Sequence, residues 1–351
     1  MIRLAASLAG VALLTARSTC LVLAHGPVPL EPPDAWTLAF GWTFEPAVAI
    51  PLALLALGWL AMVDRIDRRH PDSPVPGYRT LAFMAGLAVI AIALMSGIER
   101  YDTTLFSVHM VEHLLLMLVA APLLVLAAPI TQVLRAASPR FRRRVLLPVL
   151  RSGPVAALAH PVVAWLAFTL VLWVSHFSPL FEAALENQFV HDVEHVLYLA
   201  AALLFWWPVV GLDPAPHRLS HPARIGYILL QMPLSSFLAM AVLFTDAPLY
   251  GHYAALGAPY GITALADQQL AAGIMWFLSD VVFIGSILLI VASWMRHEDR
   301  DAVAADRRAE PARRAIRERA DRLAERNGSA GGSLASGPQR PDGSGEVSSV
   351  R

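Results

Sequence analysis

The chain has 351 residues, of which 56% are hydrophobic and 15% charged, and its mean hydropathy is +0.55. Soluble domains are about 45–50% apolar and do not repeat apolar runs of about twenty residues, so this composition excludes an ordinary soluble protein. The formal net charge is zero, because 27 basic residues, all of them arginine, stand against 27 acidic ones. The single cysteine, Cys20, falls near the N-terminus, so the remaining residues contain no disulfide and no thiolate metal site.

Residues 1–24 have the features of a signal peptide. Arg3 gives a basic start, Leu4–Leu14 is apolar, and Val22-Leu23-Ala24 resembles a cleavage site. Arg17 interrupts this pattern, so an uncleaved anchor or a misassigned start codon remains an alternative. Residues 25–46 are then predicted to form an N-terminal segment outside the membrane.

Seven further apolar runs predict an all-α, polytopic membrane bundle of seven transmembrane helices over residues 47–295. Such a bundle has the lipid bilayer as its surroundings, and nothing in the sequence predicts a nucleic-acid partner. Each run can span, or nearly span, about 30 Å of hydrocarbon as a helix. Residues 296–351 are predicted to form a cytoplasmic tail that is first charged and then disordered. The runs are Ala47–Val63, Leu81–Ile98, His109–Ala128, Val162–Ser175, Val190–Val210, Ile225–Phe244 and Leu270–Trp294.

The arginines are distributed very unevenly between the two sets of loops. Residues 64–79, 131–160, 211–224 and the tail from 295 together carry 24 arginines, whereas the alternate loops carry one, Arg100. Because cytoplasmic loops accumulate basic residues, this pattern places the mature N-terminus outside and the C-terminus in the cytoplasm.

Two His-x-Val-Glu-His motifs lie at the predicted outer ends of the third and fifth helices. Histidines four residues apart stack on one helix face, so each motif supplies a pair of imidazoles with a glutamate beside it. Ionisable residues inside a membrane are costly and usually functional, although a single histidine at a helix end is more often an interfacial residue. The predicted metal ligands are His109, His113, Glu112, His191, His195 and Glu194.

Three chemistries suit such a constellation. Imidazole and thioether ligands suit copper. His-x-x-Glu-His is also the spacing of inverzincin zinc proteases, in which the glutamate is the base. Histidines from two helices can ligate haem. Weaker candidate ligands are His176, Met110, Met117, Asp267 and His25, which would become the N-terminal residue after cleavage at Ala24.

Three segments resemble the CtaG family of caa3-type cytochrome c oxidase assembly factors. They are HMVEHLLLMLVAAPLLVLAAP (His109–Pro129), HDVEHVLYLAAALLFWWPVVGLDP (His191–Pro214) and DQQLAAGIMW (Asp267–Trp276), within a resemblance over residues 35–295. The resemblance implies a non-enzymatic, seven-helix protein of the bacterial plasma membrane that helps copper reach the oxidase. Its implied partners are cytochrome c oxidase subunits and a periplasmic copper donor.

On this basis we expect a transient copper site, shared by the two motifs and reachable by solvent near the membrane surface. Two other classes stay open. A membrane copper transporter would need coordinating residues at successive depths, and Asp280, midway along the seventh helix, is the main candidate. A metal-free scaffold would hold oxidase subunits without using the histidines.

Overall fold

A computed structural model describes residues 29–334, excluding the side chains of residues 304, 306 and 324–334. The described residues form helices and connecting segments and no β-strand. The predicted signal peptide, His25 and the end of the tail lie outside the described residues. The chain divides into two compact units, of which the first ends at Ile290 and the second begins at Val291.

Sixteen α-helices follow one another along the described chain. The first eight are α1 (Ala35–Phe40), α2 (Pro46–Arg69), α3 (Gly77–Met95), α4 (Gly97–Tyr101), α5 (Phe106–Leu114), α6 (Ala121–Leu126), α7 (Pro129–Ala136) and α8 (Pro139–Phe141). The others are α9 (Leu147–Leu150), α10 (Gly153–Leu158), α11 (Pro161–His176), α12 (Pro179–Glu186), α13 (Gln188–Val210), α14 (His221–Leu243), α15 (Gly251–Ala255) and α16 (Ala264–Leu334).

Six helices of the described chain are long and apolar enough to cross a membrane. The predicted fourth span, α11, has only 16 residues, or about 24 Å, and meets the same test only together with α12, from which it is bent by 69°. The all-helical prediction is therefore confirmed for the described residues, which contain six or seven candidate membrane spans, and the exact count of seven stays a prediction. The six are Pro46–Arg69, Gly77–Tyr101, Phe106–Ala136, Gln188–Val210, His221–Leu243 and Ala264–Leu323.

Local chemistry sets where the site-bearing helix α13 begins and ends. At its start, the Asn187 side chain accepts hydrogen bonds from the backbone N–H groups of Phe189 and Val190. Such a cap satisfies N–H groups that have no partner within the helix. At its end, Gly211 adopts φ +63°, a left-handed conformation that glycine enters without a steric penalty.

A π-helical segment, Leu115–Ala120, separates α5 from α6. Within it the N–H of Ala121 donates to the Leu116 carbonyl, one residue further back than in an α-helix. In that register the partner of the Met117 carbonyl is Pro122, which has no N–H group. The indole N–H of Trp206, on α13, donates to this carbonyl instead, at 2.9 Å. The wide turn is therefore fixed by a proline in one helix and a tryptophan in the other.

A close backbone approach holds the N-terminal segment against the bundle. A Cβ atom on Gly97 would lie 2.1 Å from the Thr37 carbonyl oxygen, so only glycine lets α1 pack here on α4. The Tyr101 hydroxyl also donates to the Glu31 carbonyl at 3.0 Å. Residues 29–40 are thereby fixed next to the segment that leads into α5.

The helix of the second unit is stabilised by polar pairs four residues apart. Arg314 pairs with Glu310 at 3.0 Å, and the Trp294 indole donates to Glu298 at 2.8 Å. Each exposed pair of this type contributes about 0.2–0.5 kcal/mol to a helix. α16 continues through this unit to Leu334, and the remaining tail lies outside the described residues.

We predict that Trp206→Phe destabilises the protein more than Trp207→Phe. The first change leaves the buried Met117 carbonyl without a partner, which costs about 1–3 kcal/mol. The second removes an indole N–H that has no hydrogen-bond partner among the described residues. Thermal unfolding midpoints of the purified variants in detergent measure the difference. Equal shifts would show that the carbonyl contact does not stabilise the π-helical segment.

Candidate metal centre

The four histidines of the two motifs form one cluster between α5 and α13. Within α5 the ring centroids of His109 and His113 are 4.3 Å apart, and within α13 those of His191 and His195 are 4.1 Å apart. Across the helices, His109 lies 5.2 Å from His191, and His113 lies 5.5 Å from His195. The two motifs, 82 residues apart in sequence, therefore combine into a single group of four imidazoles.

Carboxylates complete two overlapping groups of potential metal ligands. In each group, one ligand atom from every member lies within 4.8 Å of all the others. His109 and His191 belong to both groups, so one ion could move between two adjacent positions without leaving these two ligands. The groups are His109, His113, His191 and Glu194, and Asp102, His109, Glu112 and His191.

The cluster is buried, contrary to our expectation of a solvent-reachable site. None of its seven side chains exposes more than 6% of its surface, and His109, His191 and Glu112 expose none. Nearby aromatic rings contribute to this burial, because Phe181 lies 4.9 Å from His109 and Tyr198 lies 4.3 Å from His113, measured between ring centroids. An ion can enter or leave only if the surrounding helices or loops move.

The electrostatics of the cluster favour a bound cation. Among the described residues, the nearest basic partners of Asp102 and Glu112 are imidazoles, which carry a charge only when protonated. Asp102 Oδ2 lies 3.6 Å from His191 Nε2, and Glu112 Oε1 lies 3.1 Å from His195 Nε2. The Glu194 carboxylate oxygens and both His113 nitrogens have no hydrogen-bond partner among the described residues. A buried carboxylate without a partner costs several kcal/mol unless a proton or a metal ion neutralises it.

Asp102, which sequence reasoning missed, belongs to one of the two groups. It lies between α4 and α5, and its backbone carbonyl accepts a hydrogen bond from the Tyr253 hydroxyl at 2.7 Å. Burial, and then the neighbouring carboxylate of Glu99, raise the pKa of the Asp102 carboxyl well above its ordinary value. The available signal was an acidic residue seven positions before His109, but nothing in the sequence showed that this loop folds back onto α13.

Asp267, predicted as a weaker ligand, caps α5 from a neighbouring helix. Leu105, at the start of α5, offers no side-chain cap. The Asp267 carboxylate, on α16, instead accepts hydrogen bonds from the N–H of Phe106 at 2.6 Å, from the N–H of Ser107 at 3.3 Å and from the Ser107 hydroxyl. A carboxylate at a helix N-terminus satisfies orphan N–H groups and interacts favourably with the helix dipole. It therefore fixes the turn that carries His109, and neither ligand group includes it.

The remaining weaker candidates occupy a different place. Met110, Met117 and His176 all line a cavity on the side of His113 that faces α11 and α16. His195, one of the main predicted ligands, is absent from both ligand groups and contacts Glu112 instead. His25 lies outside the described residues.

Comparison with known proteins agrees with the resemblance seen in the sequence. Residues 57–297 match the family model described as cytochrome c oxidase caa3 assembly factor (Caa3_CtaG). Uncharacterised proteins of Mycobacterium bovis and Mycobacterium tuberculosis are each 31% identical over 287 residues, and one of Mycobacterium leprae is 30% identical. These matches cover 80% of this chain but only 43% of each relative, so the chain spans less than half the length of these proteins. No solved structure gives a significant match.

We predict that Asp267→Asn lowers the stability of the protein without removing a metal ligand. The amide keeps one acceptor but loses the negative charge at the N-terminus of α5, so we expect a loss of about 1 kcal/mol. This corresponds to a decrease of about 2–4 °C in the thermal midpoint measured in detergent. Asp246→Asn, at an exposed position, is the control. If Asp267→Asn leaves the midpoint unchanged but lowers the bound metal, Asp267 acts as a ligand rather than as a cap.

Proposed function

Because the chain belongs to the cytochrome c oxidase caa3 assembly factor family, we propose that it is a membrane assembly factor that holds copper for the oxidase. The observation that carries the proposal is the convergence of four imidazoles and three carboxylates at one buried place between α5 and α13. Copper is the cargo in this proposal, the protein is not an enzyme, and the cytochrome c oxidase is the partner that receives the ion.

The donor set favours copper among the metals that a bacterial cell offers. Imidazole is a good ligand for copper, and Cu(II) binds nitrogen and oxygen sites more tightly than the other divalent ions of the first transition row. Neutral imidazole is the ligating form, and a position near a helix N-terminus disfavours its protonation. A protease would need an open coordination position with access for substrate, which a fully buried cluster does not provide.

The overlap of the two ligand groups suits a protein that must release its ion. His109 and His191 can keep hold of copper while the other two ligands change from His113 and Glu194 to Asp102 and Glu112. Stepwise exchange of this kind avoids a fully uncoordinated intermediate in the low-dielectric interior. We propose that a periplasmic copper donor loads the site and that an oxidase subunit receives the ion.

We further propose a bacterial plasma-membrane location with seven spans, the N-terminus outside and the C-terminus in the cytoplasm. The 24 arginines in one set of loops and the tail, against one in the other, support this orientation. With α11 and α12 counted as one bent span, the number of spans is seven. Both histidine motifs then lie towards the outer face, from which a periplasmic donor would load the buried cluster when the segments that cover it move.

We predict that His109→Ala/His191→Ala abolishes copper binding by the cluster. Removing the two shared ligands breaks both ligand groups, so we expect the affinity for Cu(II) to fall at least about tenfold. Loss of a residue that only supports a metal ligand already lowers metal affinity by about that much. Cu(II) per chain, measured on the purified protein loaded with Cu(II), reports the change. The matched control is His160→Ala/His217→Ala, because these two histidines also contact each other, with ring centroids 4.7 Å apart, but lie outside the cluster.

The same variants separate delivery from scaffolding in cells. In a deletion strain carrying His109→Ala/His191→Ala, we expect low oxidase activity that excess copper restores in part, and normal activity with the control pair. Normal activity with the cluster variant would support a metal-free scaffold and would contradict the proposed role of copper.

A copper transporter is the second candidate, and Asp280 is the observation that favours it. Its Oδ1 atom is buried in α16 without a hydrogen-bond partner among the described residues, and an ionisable group deep in a membrane bundle often marks an ion path. We predict no copper flux in proteoliposomes containing the wild-type protein. Flux that Asp280→Asn reduces at least about tenfold, with Asp246→Asn unchanged, would instead establish transport.

A further inference from the structure

A small cavity adjoins the candidate metal centre on the side facing α11, α14 and α16. Its volume is about 20 Å³, enough for one water molecule or one metal ion. The wall is apolar except for a few side chains, and these include three methionines and two histidines from four different segments. They are Met110, His113, Met117, His176 and Met275, with Ser235 and Ser279 nearby in the wall.

The three thioethers give this cavity a ligand character that the neighbouring cluster lacks. Met110 comes from α5, Met117 from the π-helical segment and Met275 from α16. Methionine often fills gaps in a core, and packing alone would account for one such side chain. Three thioethers around one ion-sized space form a soft donor set, and thioethers select Cu(I) over the divalent ions.

The two histidines of the cavity wall each have a buried nitrogen atom without a hydrogen-bond partner among the described residues. The Nδ1 atom of His176 lies 2.8 Å from the Leu172 carbonyl oxygen, which can only accept, so Nδ1 carries the hydrogen. In the neutral ring the lone pair is then on Nε2, which is buried and has no hydrogen-bond partner among the described residues. Both nitrogens of His113 are also buried without a partner among the described residues, and one of them carries the lone pair of the neutral ring. Buried polar atoms without partners are uncommon, and each calls for an explanation.

We propose that this cavity is a second metal position, selective for Cu(I), with the thioethers of Met110, Met117 and Met275 and the imidazoles of His113 and His176 as its donors. The inference rests on the proposed function, in that copper is the cargo. His113 also belongs to the imidazole–carboxylate group, so the two positions share a ligand and are contiguous. The protein then has a harder position for Cu(II) beside a softer position for Cu(I).

The test uses the purified full-length protein under anaerobic conditions. Cu(I) affinity is measured by competition with a chromophoric Cu(I) chelator, and sulfur ligation is measured by X-ray absorption at the copper edge. The variant is Met110→Leu/Met117→Leu/Met275→Leu, which nearly conserves side-chain volume. The matched control is Met84→Leu/Met232→Leu/Met240→Leu, three half-buried methionines outside the cavity.

We expect the cavity variant to lose at least about tenfold in Cu(I) affinity, together with the sulfur signal, while it keeps Cu(II) binding. The control should match the wild type. A wild-type spectrum without sulfur, or an unchanged Cu(I) affinity in the cavity variant, would overturn the proposal. The wild-type spectrum decides even if the variant does not fold.

Failure of the second position can be distinguished from failure of the proposed function. His109→Ala/His191→Ala removes the harder position and leaves all five cavity donors in place. We expect this variant to lose Cu(II) and to retain sulfur-ligated Cu(I). If it retains Cu(II), the site assignment in the proposed function is wrong, and the cavity result is unaffected.

Discussion

The structure depends on keeping ionisable side chains inside an apolar helical bundle. Seven of them meet between α5 and α13, and their burial removes the water that would otherwise solvate their charges. The carboxylates have no arginine partner among the described residues, so no permanent cation of the protein compensates their charge. The bundle must therefore hold protons or a metal ion at this place, and the choice between them is the basis of a binding equilibrium.

Several unrelated contacts fix the geometry of this cluster. The Asp267 carboxylate on α16 caps the N-terminus of α5, and the Asn187 side chain caps the N-terminus of its own helix, α13. The Tyr253 hydroxyl donates a hydrogen bond to the Asp102 carbonyl. One turn after His113, the Trp206 indole N–H donates to the Met117 carbonyl, which Pro122 cannot satisfy because proline has no N–H group. Each contact either ends a helix or joins two helices, so the ligands are carried by backbone that is itself constrained.

The sequence predicted the helices well because long, continuous apolar runs have few alternatives in a membrane, where every backbone group must be paired within the chain. It also predicted two pairs of histidines at one depth, because residues four apart share a helix face and the loop arginines place both motifs at the same end of their helices. The structure brings the two pairs together, with ring centroids 5.2 Å and 5.5 Å apart across the helices. The count of spans was less certain at α11, whose 16 residues are short for a bilayer. The role of Asp102 could not be predicted, since it depends on how a loop folds against a helix more than eighty residues later. The burial of the cluster was also missed, because topology and periodicity place a residue at a depth and on a helix face but do not show what covers it.

The cap and the cavity wall lie on one helix, and this has a mechanical consequence. Asp267 and Met275 are eight residues apart on α16, or about 12 Å along its axis. Since a helix is stiff over that length, a slide or rotation of α16 that withdraws the carboxylate from α5 also displaces the thioether from the cavity. The cap of α5 and the part of the cavity wall that α16 provides therefore move together, and a protein that docks against α16 could loosen both through a single displacement.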